Sequence, residues 1–73
     1  RVKEVMKDAV YSLPERQREA LTLVYYMNLS GAEASGVMDL TVSAFESLLA
    51  RGRRNLRKRL SGQRIELMEI VND

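Results

Sequence analysis

The residues of this chain with the clearest chemical potential are basic and lie close together. Six of the twelve lysines and arginines fall within residues 51–59, a stretch with no acidic residue. They are Arg51, Arg53, Arg54, Arg57, Lys58 and Arg59. They end a long helical pattern that follows a short turn, and the DNA major groove admits a helix while its flanking phosphates attract positive charge. The cluster therefore favours a nucleic-acid partner, with a solvated basic face as the alternative.

Length and composition narrow the possible classes. The 73 residues make one small domain with net charge +2 and neither Cys nor His. This excludes a disulfide framework and a Cys/His zinc site, and it removes the commonest general base. Without a Gly-rich phosphate loop either, the sequence argues against an enzyme and predicts no catalytic residue, metal or cofactor. The composition fits a reducing, cytoplasmic setting, and no apolar run approaches the roughly 18 residues of a membrane span.

Apolar periodicity predicts an all-α fold of four helices. Apolar residues recur at three- and four-residue steps from Val2 to Leu13, which indicates a first helix that Pro14 ends. The second helix is expected to run from there to about Met27. Its inward face is predicted to contain Ala20, Leu23, Val24 and Met27.

A helix-turn-helix is predicted in the second half of the chain. Ser30 and Glu33 form a capping box, which starts a short third helix from residue 31 or 32 to residue 38. Asp39 suits the turn that follows, because Asp tolerates the left-handed backbone region better than most residues. Thr41 is a good N-cap for the fourth helix.

The fourth helix is long, ends near Leu60 and has two distinct faces. At 100° per residue, the apolar stripe consists of Phe45, Leu49, Gly52 and Leu56, with Leu48 and Leu60 at its margins. The opposite face carries Ser43, Ser47, Ala50, Arg51, Arg54 and Lys58. The core face and the candidate DNA face are thus separated. Residues 62–73 are expected to add a tail or a short extra helix, which either caps the apolar edge of the fourth helix or covers its basic face.

Four short motifs carry a resemblance to a known family. They are Leu-Pro-Glu-Arg-Gln-Arg-Glu-Ala-Leu at 13–21, Tyr-Tyr at 25–26, Leu-Ser-x-Ala-Glu at 29–33, and Leu-Leu-Ala-Arg-x-Arg-Arg-x-Leu at 48–56. In combination they resemble region 4 of the extracytoplasmic-function sigma factors of bacterial RNA polymerase, over roughly residues 3–60. The resemblance implies that residues 1–61 form a helix-turn-helix domain whose last helix reads the minus-35 promoter element.

The resemblance also implies partners. These are double-stranded promoter DNA, the flap of the polymerase beta subunit and an anti-sigma factor, with the domain itself monomeric. A tether to a second domain that binds the minus-10 element is implied as well. Because the chain begins at Arg1 rather than Met, we expect it to be a piece of a longer protein.

Helix-turn-helix proteins contact bases from the N-terminal part of the second helix of the motif. The base-reading candidates are therefore Ser43, Ala44, Glu46, Ser47, Ala50 and Arg51. Among them, Arg51 best suits a bidentate guanine contact. The phosphate candidates are Thr41, Arg53, Arg54, Arg57 and Lys58, joined by Arg16 and Arg18 of the second helix. For Arg16 and Arg18, a local charge ladder with Glu15 and Glu19 is an equal alternative.

Several positions depart from the family pattern. Many members have a bulky aliphatic residue at position 34 and Val or Ile at position 45. This chain has the smaller Ala34 and the larger Phe45, which we interpret as a compensating volume swap. Three positions lack a basic residue that is frequent in the family: Val24, Glu46 and Leu48. Glu46 could accept from a cytosine amino group or pair with an arginine such as Arg53. Leu48 is interpreted as a peripheral core contact.

Alternative functions remain open from the sequence. Leu21, Tyr25 and Tyr26 are interpreted as core aromatic and apolar residues, or else as a contact with polymerase or an anti-sigma factor. The missing basic residues favour a sigma-like interaction module that sequesters an anti-sigma factor without reading DNA. A response-regulator output domain shares the helix-turn-helix and is a second alternative.

Overall fold

The computed structural model describes residues 2–61, and the side chains of residues 4–61. Every regular element in this part of the chain is a helix. The elements are α1 (Val2–Tyr11), α2 (Glu15–Leu21), a π-helical segment (Thr22–Tyr26), α3 (Gly31–Val37) and α4 (Val42–Ser61). The predicted all-α, four-helix domain is confirmed. The expectations for residues 62–73 lie outside the described residues.

The first helix ends earlier than the sequence suggested, so its connection to α2 is longer. α1 ends at Tyr11, before Leu13, whose N–H donates to the carbonyl of Val10 at 3.1 Å. Leu13 nevertheless points inward and is only 4% exposed. Pro14 lies at the N-cap of α2, where its carbonyl accepts from the N–H of Arg18 at 3.0 Å. The missing N–H of proline costs nothing at a helix start, so Pro14 separates the two helices as predicted.

The second predicted helix reaches Tyr26, close to the expected end, but its second half is not α-helical. Regular α-helical hydrogen bonding stops at Leu21, and the chain continues as a π-helix over Thr22–Tyr26. The N–H of Met27 donates to the carbonyl of Thr22, five residues earlier, at 2.9 Å. The extra residue in this turn rotates the side chains that follow it, because a π turn holds more residues than an α turn. Met27 is therefore 57% exposed instead of lying on the inward face.

The capping box at α3 is formed as predicted. Ser30 Oγ accepts from the N–H of Glu33 at 3.0 Å, and the N–H of Ser30 donates to Glu33 Oε1 at 2.9 Å. The pKa of the Glu33 carboxyl is lowered from its ordinary value of 4.5. The main cause is the hydrogen bond from the Ser30 backbone, and the Ser30 hydroxyl makes a smaller contribution. The charged form of Glu33 thus helps to fix the start of the helix-turn-helix.

The turn into α4 has the predicted conformation. Asp39 adopts φ 57, in the left-handed region that Asp tolerates better than most residues. The N–H of Leu40 donates to the carbonyl of Ser35 at 2.9 Å and closes the end of α3. Thr41 Oγ1 accepts from the N–H of Ala44 at 3.0 Å, so the N-cap of α4 is confirmed.

The core lies where α2 and α3 pack against α4. Ala34 and Phe45 are both 0% exposed and belong to one cluster. Leu48 is 8% exposed and joins the same cluster, which confirms its interpretation as a core contact. α2 approaches α4 closely at Gly52, where an added Cβ would lie 3.4 Å from the Cβ of Gln17. Burial of this apolar face holds α4 by one side along its length.

Candidate nucleic-acid interface

The outward face of α4 is accessible where the sequence predicted it. The base-reading candidates lie in the N-terminal half of the helix, and all are exposed except Ala50, which is half-buried. Ser43, Ser47 and Arg51 follow one another at four-residue steps and form one outward stripe. Phe45 and Leu49 point into the core from the opposite side. The separation of the two faces is confirmed, while the contribution of each residue to base recognition stays a prediction.

The basic cluster divides into two groups in the structure. Arg51, Arg54, Arg57 and Lys58 are exposed along α4. Arg53 and Arg59 are also exposed, but each is bonded to another element. Arg53 Nη1 donates to the hydroxyl of Tyr25 at 2.7 Å, and Arg59 Nη2 donates to the carbonyl of Ser12 at 3.0 Å. The two contacts tie α4 to the π-helical segment and to the residue that follows α1, and the local sequence does not reveal this division.

The two basic candidates of α2 differ in their surroundings. Arg16 is exposed, whereas Arg18 is half-buried and lies against α1. Arg18 Nη1 donates to the carbonyl of Tyr11 at 3.3 Å, and its guanidinium carbon lies 5.6 Å from the centroid of the Tyr11 ring. This cation–π geometry orients Arg18 by contact with α1, a contact outside both sequence interpretations. Phosphate binding by either arginine stays a prediction.

Glu46 lies beside the first residue of α3. Its Oε2 is 2.7 Å, and its Cδ 3.7 Å, from the position that a Cβ on Gly31 would occupy. The arginine considered as its ion partner, Arg53, donates to Tyr25. No local signal marks Gly31 as a partner of Glu46, because the contact joins two helices of the tertiary structure.

A second exposed surface is formed by the π-helical segment and the residue after it. Tyr25, Tyr26 and Met27 are 60%, 87% and 57% exposed, whereas Leu21 is 3% exposed. The core interpretation is thus confirmed for Leu21 and wrong for the two tyrosines. The wide π turn accounts for the difference, because it changes the direction of the side chains after Leu21. We call Tyr25, Tyr26 and Met27 the aromatic patch.

The described part of the chain offers neither a membrane-spanning helix nor a cluster of acidic metal ligands. No helix there combines the length and the apolar character needed to cross a membrane. Among the side chains of the same residues, no group of three or more His, Cys, Asp or Glu is placed to hold a metal ion.

The sequence of this chain matches a known protein family. Residues 3–56 match the sequence model of the family described as Sigma-70, region 4. Over 56 residues the chain is 41% identical to the ECF RNA polymerase sigma factor SigM of Bacillus subtilis (strain 168), an alignment that covers 77% of the chain and 34% of that relative. The chain therefore spans about one third of the length of the relative. No solved structure matches the chain.

Proposed function

Because the chain belongs to the sigma-70 region 4 family, we propose that it recognises the minus-35 promoter element in transcription initiation. In this proposal α4 enters the major groove while the domain is held in an RNA polymerase holoenzyme. The observation that supports it most directly is the two-sided character of α4. The stripe of Ser43, Ser47 and Arg51 is exposed, while Phe45 and Leu49 anchor the same helix in the core.

Base recognition is assigned to the N-terminal half of α4. The guanidinium of Arg51 can donate two hydrogen bonds to the O6 and N7 atoms of a guanine. The hydroxyls of Ser43 and Ser47 can bond to bases or to phosphates and specify little alone. Ala44 and Ala50 have short side chains, which allow the helix to approach the base edges closely. Glu46, the remaining base-reading candidate, lies beside Gly31 at the start of α3.

Phosphate binding is assigned to the remaining basic residues and to the start of α4. Beyond the outward stripe, towards the C-terminal end of the helix, lie Arg54, Arg57 and Lys58. Thr41, Arg53, Arg16 and Arg18 complete the proposed set. Each phosphate that is neutralised releases counterions, so affinity should fall as salt rises. The isolated domain should bind with a dissociation constant of roughly 10⁻⁴–10⁻⁶ M at physiological salt, and tethering to other contacts would increase the avidity.

A protein contact is proposed for the aromatic patch. Tyr26 is 87% exposed, and aromatic residues are enriched in protein–protein interfaces. The partners proposed are the flap of the polymerase beta subunit and an anti-sigma factor. This surface also supports the second candidate function, an interaction module that sequesters an anti-sigma factor without reading DNA. Family membership favours either sigma function over a response-regulator output domain.

The proposal is tested by selecting duplexes from a randomised pool with the immobilised 73-residue chain. The selected duplexes are then titrated against the chain at several salt concentrations by fluorescence anisotropy. We expect one enriched motif and a logarithm of affinity that falls linearly with the logarithm of salt. Absence of any salt-sensitive association would overturn the DNA-binding proposal. If the immobilised chain bound no DNA but still bound the polymerase flap or an anti-sigma factor, the result would support the interaction module.

A further inference from the structure

Glu46 is the one acidic residue of α4, a helix that also contains six basic residues. It is exposed and lies next to Ser47 in sequence, about 100° around the helix from the outward stripe. A glutamate has a flexible side chain, so a carboxylate at this position could point towards the stripe or away from it. If it pointed towards the stripe, it would bring a negative charge close to the phosphates of bound DNA.

The structure places this carboxylate on the α3 side of α4. Glu46 Oε2 occupies the space where Gly31 has no side chain, 2.7 Å from the position of an added Cβ. Real Cβ atoms essentially never come this close to another heavy atom, so any larger residue at position 31 must displace the carboxylate. Gly36, in the same helix, differs in this respect, because an added Cβ there meets nothing within 4 Å.

We propose that Gly31 is a positioning residue that keeps the Glu46 carboxylate off the DNA-facing stripe of α4. This inference rests on the proposed function, since it concerns how α4 approaches DNA. Charges within about 10 Å of one another still interact at 0.1 M salt, so the position of a carboxylate beside a DNA interface affects binding. Gly31 thus allows an acidic residue to occupy a position in the reading helix with less repulsion of the phosphates.

A methyl group at position 31 provides the test, because it moves the carboxylate without changing the charge of the protein. Oε2 is the far end of a flexible, exposed side chain, so the displacement should leave the fold intact. E46Q is the matched background, since glutamine keeps the shape of glutamate and removes its charge. G36A is the matched control for a glycine-to-alanine change in α3.

The experiment measures duplex affinity of the 73-residue chain at low ionic strength for wild type, G31A, G36A, E46Q and the G31A/E46Q double variant. We expect G31A to weaken binding about two- to five-fold on selected and random duplexes alike, the range of exposed charge interactions. G36A should leave the affinity unchanged, and G31A should have no further effect in the E46Q background.

Three outcomes would overturn the inference. One is an unchanged affinity of G31A, and another is an equal loss in the E46Q background, which would indicate a backbone effect. The third is a change of preference at a single base pair in both G31A and E46Q, which would identify Glu46 as a base reader. Failure of every variant, wild type included, to bind any duplex would overturn the proposed function. In that case, NMR contacts between the Glu46 Hγ and Gly31 Hα protons would still show whether Gly31 positions the carboxylate.

Discussion

Tyr25 Oη accepts a hydrogen bond of 2.7 Å from Arg53 Nη1, which joins the π-helical segment to α4 across 28 positions of sequence. Both side chains are exposed. We predict that Tyr25→Phe changes the free energy of unfolding by at most about 0.5 kcal/mol, because exposed interactions contribute little. It should nevertheless lower duplex affinity slightly, since the bond restrains a guanidinium proposed to bind phosphate.

The control for this prediction is Arg53→Ala. Thermal unfolding and salt titrations of the two single variants and the double variant complete the cycle. We expect Arg53→Ala to weaken DNA binding more than Tyr25→Phe does. In a protein that already has Arg53→Ala, adding Tyr25→Phe should have no further effect. Independent, additive effects of the two changes would show that the bond does not prepare Arg53 for binding.

Arg51 and Arg54 should differ in what they contribute to recognition. Arg51→Ala is expected to relax preference at one base pair by about 1–3 kcal/mol, the usual contribution of a bidentate base contact. Arg54→Ala should instead weaken binding to all sequences alike and lower the salt slope by about 1, as expected for a phosphate contact. Duplexes with single base changes, titrated at several salt concentrations, distinguish the two effects. Identical behaviour of both variants on specific and random DNA would contradict this division.

The interpretation of Ala34 and Phe45 as a compensating volume swap can be tested by changing the side-chain volume at each position. Both residues are fully buried in one cluster, so Ala34→Ile should overpack the core between α3 and α4. We expect a loss of about 1–3 kcal/mol in the free energy of unfolding, measured by urea denaturation. Adding Phe45→Val should recover part of it, because the second change removes volume from the same cluster. An unchanged stability of the single variant would argue against a compensating volume swap.

Two helical glycines should respond differently to substitution. Gly36 is exposed and has open space around it, so Gly36→Ala should stabilise the protein by about 0.5–1 kcal/mol through helix propensity. Gly52 is buried, with Gln17 Cβ and Leu21 Cδ1 each 3.4 Å from an added Cβ. Gly52→Val should therefore destabilise by about 1–3 kcal/mol through overpacking. Thermal unfolding measures both changes, and equal responses would contradict the close approach of α2 to α4.

The capping box makes stability depend on pH. The backbone and hydroxyl of Ser30 lower the pKa of Glu33, so its carboxylate contributes stability above the ordinary value of 4.5. This contribution should be lost as the pH falls through the lowered value in the folded state. We therefore expect Glu33→Gln to destabilise the protein near neutral pH and to have a smaller effect in acid. Urea denaturation of both proteins across this range measures the difference, and a constant difference would contradict the prediction.

The sequence determined the elements that depend on local chemistry. The Ser30–Glu33 capping box, the left-handed Asp39 and the Thr41 N-cap are formed by residues within a few positions of one another. Helical periodicity likewise separates the two faces of α4, because side-chain direction repeats every 3.6 residues whatever surrounds the helix. Family resemblance could be read from the same local motifs.

Only the tertiary structure decided which distant groups meet. The π turn exposes Tyr25, Tyr26 and Met27, although the apolar pattern predicted that Met27 lies inward. The Tyr25–Arg53 hydrogen bond and the contact of Glu46 with Gly31 likewise join residues of different helices that are distant in sequence. Local propensity contains no information on such contacts, because they depend on how packed helices place their side chains in space. The sequence therefore determined which face of α4 is open to solvent, and the packing of the helices decided how Arg53 and Glu46 are held beside it.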